Sequence, residues 1–209
     1  MSMRADGGRA ETVVRAALAL VDSGGLESLT MRKLAASLDM QLPTIYRMFD
    51  GKRELLDEMA EALIGDVLDR VRPGGAGWPE RVAALARGLR AVLLEQRDGA
   101  RIVGGSYTAK QPTMTVAETA LTDLGEAGFP PETAIWAGTT VFCYVLGEVL
   151  EQQGADGGAA ESLAGSAPGG AYPHLAAMPV ERFLDFDARF EFGLRVILAG
   201  LRAELSGGT

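Results

Sequence analysis

The chain reads as all-α: an N-terminal three-helix domain with a helix-turn-helix, followed by a larger helical C-terminal domain. Three observations predict this. Ala, Leu, Glu and Arg dominate stretches of helical period, and no alternating strand pattern of any length appears. Residues 30–53 read as two short helices joined by a tight turn. The last two long segments are apolar on more than one side, which calls for more than one neighbour each. The 209 residues leave room for one or two domains with a real core.

Residues 1–9 read as a flexible basic arm, a frayed terminus ahead of the alternative that Arg4 and Arg9 touch DNA. A first helix is expected over 11–21. Thr30 is a helix N-cap, because its hydroxyl accepts from a free backbone N–H. Leu34, Ala35 and Leu38 follow at helical spacing and form one buried face. Asp39-Met40-Gln41 make the turn. Pro43 suits the first turn of the next helix, where its missing N–H costs nothing. Ile45 and Phe49 lie four apart and pack back on the first helix of the pair.

That register leaves Thr44, Tyr46 and Arg47 facing outward, with Gln41 and Leu42 at the leading end. A helix-turn-helix sets such residues against base edges in the major groove. Arg47 suits guanine, Gln41 suits adenine, and Leu42, Pro43 or the Thr44 methyl suits a thymine methyl. Arg32 reaches a base or a phosphate. Thr30, Tyr46 and Lys52 are placed for phosphate oxygens, which set register rather than sequence. The rival reading of this segment is an ordinary helical hairpin with a solvated polar face.

Net charge is −8, which at first argues against a DNA binder. The distribution resolves it. Residues 1–55 carry 8 basic and 7 acidic side chains, and the remainder 12 and 21. A head so mildly basic relies on two copies acting together, with affinity that falls as salt rises.

The remaining helices follow in order. A linking helix is expected over 52–71 and ends at Pro73-Gly74-Gly75-Ala76-Gly77. Next come 78–96, a short helix near 100–104, then 110–127 and 131–153, parted by Gly128-Phe129-Pro130. Residues 154–172, rich in Gly, Ala and Ser, read as a mobile loop. A short helix near 173–178 and a last one over 183–205 close the chain. Two doubly apolar helices from each of two chains make a four-helix bundle, so a homodimer is expected. A two-fold dimer suits a palindromic operator.

The order of these residues resembles the tetracycline-repressor family of transcriptional regulators. In the head the match runs through Gly24-Gly25-Leu26, Leu29-Thr30, Arg32-Lys33-Leu34-Ala35, Pro43-Thr44-Ile45-Tyr46 and Lys52-Arg53-Glu54-Leu55-Leu56. Beyond it come Arg97-Asp98-Gly99-Ala100-Arg101, Glu118-Thr119, Gly128-Phe129, Leu146 to Gln153 and Phe190 to Leu194. The resemblance covers nearly the whole chain. It implies residues 1–55 as the DNA-binding domain and residues 56–209 as a ligand-binding and dimerisation domain. Effector binding in the C-terminal core would swing the linking helix and release operator DNA.

The family's tetracycline-responsive members hold the drug as a magnesium chelate through a histidine after the Arg-Asp-Gly segment. Here that place is Val103. The places of polar drug contacts are Leu68, Leu85 and Ala120; an aromatic contact becomes Leu89 and an arginine becomes Tyr107. Glu151 remains, but one carboxylate without an imidazole is a poor magnesium site. The resemblance thus implies an apolar pocket of Leu68, Leu85, Leu89, Val103, Tyr107, Trp136, Phe142 and Met178, with Ser106, Tyr107, Thr140 and Glu151 as polar anchors. Such a pocket suits a small hydrophobic or aromatic effector. Any of these apolar side chains also has an ordinary reading as core.

Other classes fare worse. One His (His174) and one Cys (Cys143) exclude most His-based acid–base and Cys–His arrangements. No metal spacing, phosphate loop or paired-carboxylate motif appears, so no cofactor or metal is expected and an all-helical enzyme is a remote alternative. A DNA-binding dimer governed by a protein partner, or lacking ligand response, is the nearer one. Cys143 reads as a small buried hydrophobe. A single cysteine, no signal segment and no apolar run long enough for a membrane point to the cytoplasm.

Overall fold

The computed structural model describes residues 3–71, 77–155, 172–177 and 179–207. Every regular element among them is helical. In the head, α1 spans Met3–Gly24 and a 3-10 turn spans Leu26–Ser28; α2 (Met31–Ser37) and α3 (Leu42–Tyr46) follow. The body holds α4 (Lys52–Arg70), α5 (Trp78–Glu95), α6 (Gly99–Gly104), α7 (Gln111–Glu126) and α8 (Pro131–Gly154). Two single-turn helices, α9 (Pro173–Ala176) and α10 (Val180–Phe183), precede α11 (Phe186–Gly207).

The helix ends follow local chemistry. The Thr30 hydroxyl accepts the Lys33 N–H at 3.2 Å and so caps α2. Asp39, at φ 51°, turns the chain out of α2. Prolines occupy the first turn of α3, α5, α7 and α8, where no N–H is required. Gly128, at φ 101°, closes α7 in a left-handed turn, with the Phe129 N–H donating to the Leu124 carbonyl at 3.1 Å.

Packing places α4 at the centre. It touches α1 of the head and α5, α6 and α7 of the body, while α8 packs on α5, α6, α7 and α11. One apolar core runs through both parts. Leu34 and Ile45 are fully buried in the head, Leu55 and Met59 continue along α4, and Leu93, Val145 and Phe190 carry the core through α5, α8 and α11. Because Leu55, Met59, Leu63 and Val67 of α4 are all buried, a force on α4 in the body reaches the head through close-packed side chains.

Several expectations need correction. The arm expected at residues 1–9 is helical from Met3, continuous with α1. The last helix does not begin at 183, because the Asp185 carboxylate accepts the Ala188 N–H at 3.1 Å and starts α11 afresh at Phe186. Cys143 is exposed on α8 rather than buried. α8 is also long and apolar enough to cross a membrane by length and composition, with mean hydropathy 1.4 over its most apolar window. It passes that measure because apolar residues occupy its outer side as well as its core side. The loop expected at 154–172 lies, from 156 to 171, outside the described residues.

Candidate DNA-reading face and sensor cavity

The head gathers most of the expected reading residues on one surface. Ile45 and Phe49 are buried beneath α3, which turns the opposite side outward. Thr30, Arg32, Leu42, Tyr46 and Lys52 line a single shallow recess of about 660 Å3, together with Lys33, which sequence reasoning missed. Gln41 and Pro43 stand exposed at the start of α3. Thr44 and Arg47 lie round the side, where an Arg47 Nη2 donates to the Thr44 hydroxyl at 3.2 Å and is held along the helix.

The cations of the reading face differ from most of those on the body. Among the described residues, Arg32, Lys33, Arg47 and Lys52 make no ion pair with a carboxylate. In the body, Arg70 binds Glu95 at 2.5 Å, Arg81 binds Asp123 at 2.5 Å, Arg87 binds Glu191 at 2.7 Å and Arg90 binds Asp187 at 2.7 Å. Cations already neutralised by carboxylates have little left for phosphate. The unpaired ones leave positive charge on the reading face for phosphate despite the acidic total.

Two sets of polar contacts join head to body. Both terminal nitrogens of the Arg15 guanidinium donate to the Asp66 carboxylate at 2.8 Å, tying α1 to α4. At the corner between α5 and α6, Asp98 accepts the Leu26 N–H at 2.7 Å, and Gln96 donates to Asp22 at 2.6 Å. Burial alone would raise the Asp98 pKa, but the Leu26 N–H and the Arg101 guanidinium outweigh it and hold the carboxyl below its ordinary value.

On the body an apolar cavity of about 290 Å3, open to solvent on one side, lies between α4, α7 and α8. Ile64, Val116, Ala120, Leu121, Ile135 and Phe142 supply most of its wall, with Thr113 and Thr139 as its hydroxyl groups. It exists because α7 and α8 face each other there with small residues. A Cβ at Gly138 would meet no atom within 4 Å.

This cavity does not gather the expected ligand set. Phe142 lines it, and so does Ala120. Leu85, Leu89 and Val103 are buried as core, and Leu68 is half-buried on α4 outside the wall. The Ser106 hydroxyl donates to Asp57 at 2.7 Å, and the Thr140 hydroxyl to its own helix at Trp136. Tyr107 is 95% exposed and Trp136 62% exposed. Glu151 is exposed, and Met178 lies outside the described residues.

Glu61 was also missed. Its side chain is buried on α4, and its carboxylate accepts the Thr108 hydroxyl and the Lys110 and Thr113 backbone N–H groups, both at 3.0 Å. It thus satisfies free donors at the start of α7. Asp57 and Glu58 hold Ser106 and Lys110 of the same loop. Among the described residues, no three His, Cys, Asp or Glu side chains form a metal-ligand group. With Val103 apolar and buried, the donor set does not fit a magnesium chelate.

A helix-turn-helix head with unpaired cations, carried by a helix that also walls an apolar cavity, defines a transcriptional regulator with a built-in sensor. Residues 13–59 match the bacterial regulatory proteins of the tetR family, and residues 72–205 match the tetracyclin repressor-like C-terminal domain. The chain belongs to the TetR family of bacterial regulatory proteins. It is 38% identical to the class A tetracycline repressor protein from transposon 1721 of Escherichia coli, over 91% of this chain and 88% of that one. A crystal structure of a possible TetR family regulator from Streptomyces coelicolor A3(2) superposes with TM-score 0.85 at 40% identity, covering 93% of this chain and 98% of that one. The Streptomyces coelicolor TetR family protein ActR, solved in complex with actinorhodin, superposes with TM-score 0.80 at 31% identity, covering 94% and 97%.

Proposed function

We propose that the chain is a ligand-responsive transcriptional repressor acting in the cytoplasm as a homodimer. Residues 1–55 are the reading head and residues 56–209 the sensing and dimerising body. The observation that carries this reading is the recess beside α3, where Arg32, Lys33 and Lys52 have no carboxylate partner among the described residues. Thr30, Tyr46 and Lys52 hold phosphates, Gln41, Leu42, Pro43, Thr44 and Arg32 meet base edges, and Arg47 stands beside them on the same DNA face. The repressor role of its relatives supports a regulatory rather than a catalytic function.

The effector site is the cavity between α4, α7 and α8. Its almost wholly apolar wall suits a small hydrophobic or aromatic molecule, anchored at most through Thr113 and Thr139. The actinorhodin complex of ActR supports an aromatic polycyclic effector. A cavity walled by Ile64 of α4 favours ligand control over control by a protein partner. Any occupant bears directly on the helix that carries the head. The dimer forms through the exposed apolar residues of α8 and α11.

The test is operator binding. A duplex selected from a random-sequence library by the wild-type protein should bind Arg47→Ala and Tyr46→Ala at least tenfold more weakly, at unchanged melting temperature. Equal binding by both variants overturns the assignment of the reading face. Magnesium-dependent binding of tetracycline would overturn the apolar effector site.

A further inference from the structure

Arg9 sits on α1, outside the helix-turn-helix, yet it borders the reading face. A notch of about 420 Å3 is walled on one side by Arg9 and Ala10 of α1 and on the other by Thr44, Arg47 and Met48. Arg9 is exposed and, among the described residues, makes no ion pair or hydrogen bond. Arg15, less than two turns further along the same helix, is held by both oxygens of Asp66. α1 therefore commits Arg15 to the body and leaves Arg9 beside α3. Arg47 at the far wall is held only by the Thr44 hydroxyl. Two uncompensated guanidinium groups facing one notch repel each other in the free protein. An anion between them removes that repulsion and accepts hydrogen bonds from both.

We propose that this notch seats a backbone phosphate of the operator, clamped between Arg9 and Arg47. The proposal rests on the reading of the head as a DNA-binding surface and extends that surface from α2, α3 and the start of α4 onto α1. The recess on the other side of α3 already offers Lys33 and Lys52. The Arg9 notch adds a phosphate contact on the opposite flank, so α3 is gripped from both sides. Such a contact fixes how α3 lies in the groove and adds affinity without reading a base.

The experiment compares wild type, Arg9→Ala, Arg9→Lys, Arg47→Ala and Arg202→Ala on the library-selected operator across a salt series. Losing one phosphate contact per subunit should reduce the slope of log K against log salt by about 0.9 per head, or roughly 2 for a dimer. Arg9→Ala should show this reduction and weaken binding to the selected operator and to point-mutated operators by the same factor. Arg9→Lys should restore the slope. Arg202→Ala, which removes an exposed charge from the body, should leave it unchanged. If Arg9→Ala keeps the wild-type slope while Arg47→Ala loses affinity, the notch is empty in the complex and the proposal falls, with the reading face intact. If Arg202→Ala lowers the slope as much as Arg9→Ala, the effect is net charge and the proposal also falls. If the library yields no bound duplex, the DNA-binding reading fails and takes the notch with it.

Discussion

The Glu61 carboxylate accepts the backbone N–H of Thr113 at 3.0 Å, joining the middle of α4 to the first turn of α7. Thr113 also lines the sensor cavity. The helix that carries the head is thus fastened to the helix that walls the proposed effector site by a group beside the cavity. An effector that shifts α7 moves this anchor, and α4 with it.

This anchor makes stability depend on pH. Burial would raise the Glu61 pKa, but the hydrogen bonds from Thr108, Thr113 and Lys110 outweigh it and set the folded value below the ordinary 4.5. The unfolded chain therefore takes up the proton first as pH falls. The stabilisation is complete above about pH 4.5 and is lost as pH falls through the depressed folded value. Glu61→Gln should lower stability at pH 7 by about 1–3 kcal/mol, the range for a hydrogen-bonded charged group. The gap to wild type should narrow below pH 4.5 in denaturant titrations. A pH-independent gap would show that Glu61 acts through packing alone.

The separation between legible and illegible parts follows sequence distance. Thr30, Pro43, Ile45 and Phe49 act within one or two turns of themselves, so the helix-turn-helix and its outward face could be read from spacing. The boundaries of α4, α5, α7 and α8 were equally legible from proline, glycine and apolar period. Glu61 was not, because its donors lie about fifty residues further along the chain and a lone carboxylate inside a helix looks solvated. The cavity was illegible for a related reason. It is made by what Ala120 and Gly138 lack, and no pattern within α7 or α8 announces that the two small residues face each other. The Asp185 cap was present in the sequence as an Asp three residues before Ala188, but the run of phenylalanines around it reads as one continuous helix.

Gly193 and Tyr144 define how closely α11 approaches α8. The Tyr144 hydroxyl donates to the Phe190 carbonyl at 2.9 Å, and its ring stacks on Phe190 with centroids 5.7 Å apart. Burial and the neighbouring Glu148 carboxylate push the phenol up to about 12, so it remains a donor at any physiological pH. A Cβ at Gly193 would stand 2.3 Å from that hydroxyl oxygen. Gly193→Ala should therefore cost about 1–3 kcal/mol despite the better helix propensity of alanine, since it overpacks a fixed ring. Gly193→Ala combined with Tyr144→Phe should lose less than the two separate costs added together. Calorimetric melting of the four proteins in this cycle checks it, and strict additivity would refute the close approach.

The cavity yields an opposite pair of expectations at Gly138. Alanine fits there without contact and should stabilise α8 by about 0.5–1 kcal/mol. Leucine should also fit but occupy the void. Gly138→Leu should then bind operator normally and lose the rise in melting temperature that a flat polycyclic effector produces in wild type. A variant that still responds to the effector with an undiminished shift would place the ligand elsewhere in the body.

The outer sides of α8 and α11 remain apolar after the core is formed. Trp136, Cys143 and Leu150 recur every seven residues along α8, all exposed, and Phe192 and Val196 of α11 are 60% and 52% exposed one turn apart. A stripe at this spacing is the seam of a helix pair, and a second copy of the same surface can cover it about a two-fold axis. Sedimentation of the wild-type chain at micromolar concentration should show a dimer. Phe192→Glu with Val196→Glu should leave a folded monomer, because both positions lie outside the monomer core. Operator affinity should then fall by roughly 10²–10⁴-fold, the gain that two linked heads have over one. A monomeric wild type that binds its operator tightly would overturn the dimer. A dimer that survives both glutamates would move its interface away from α11.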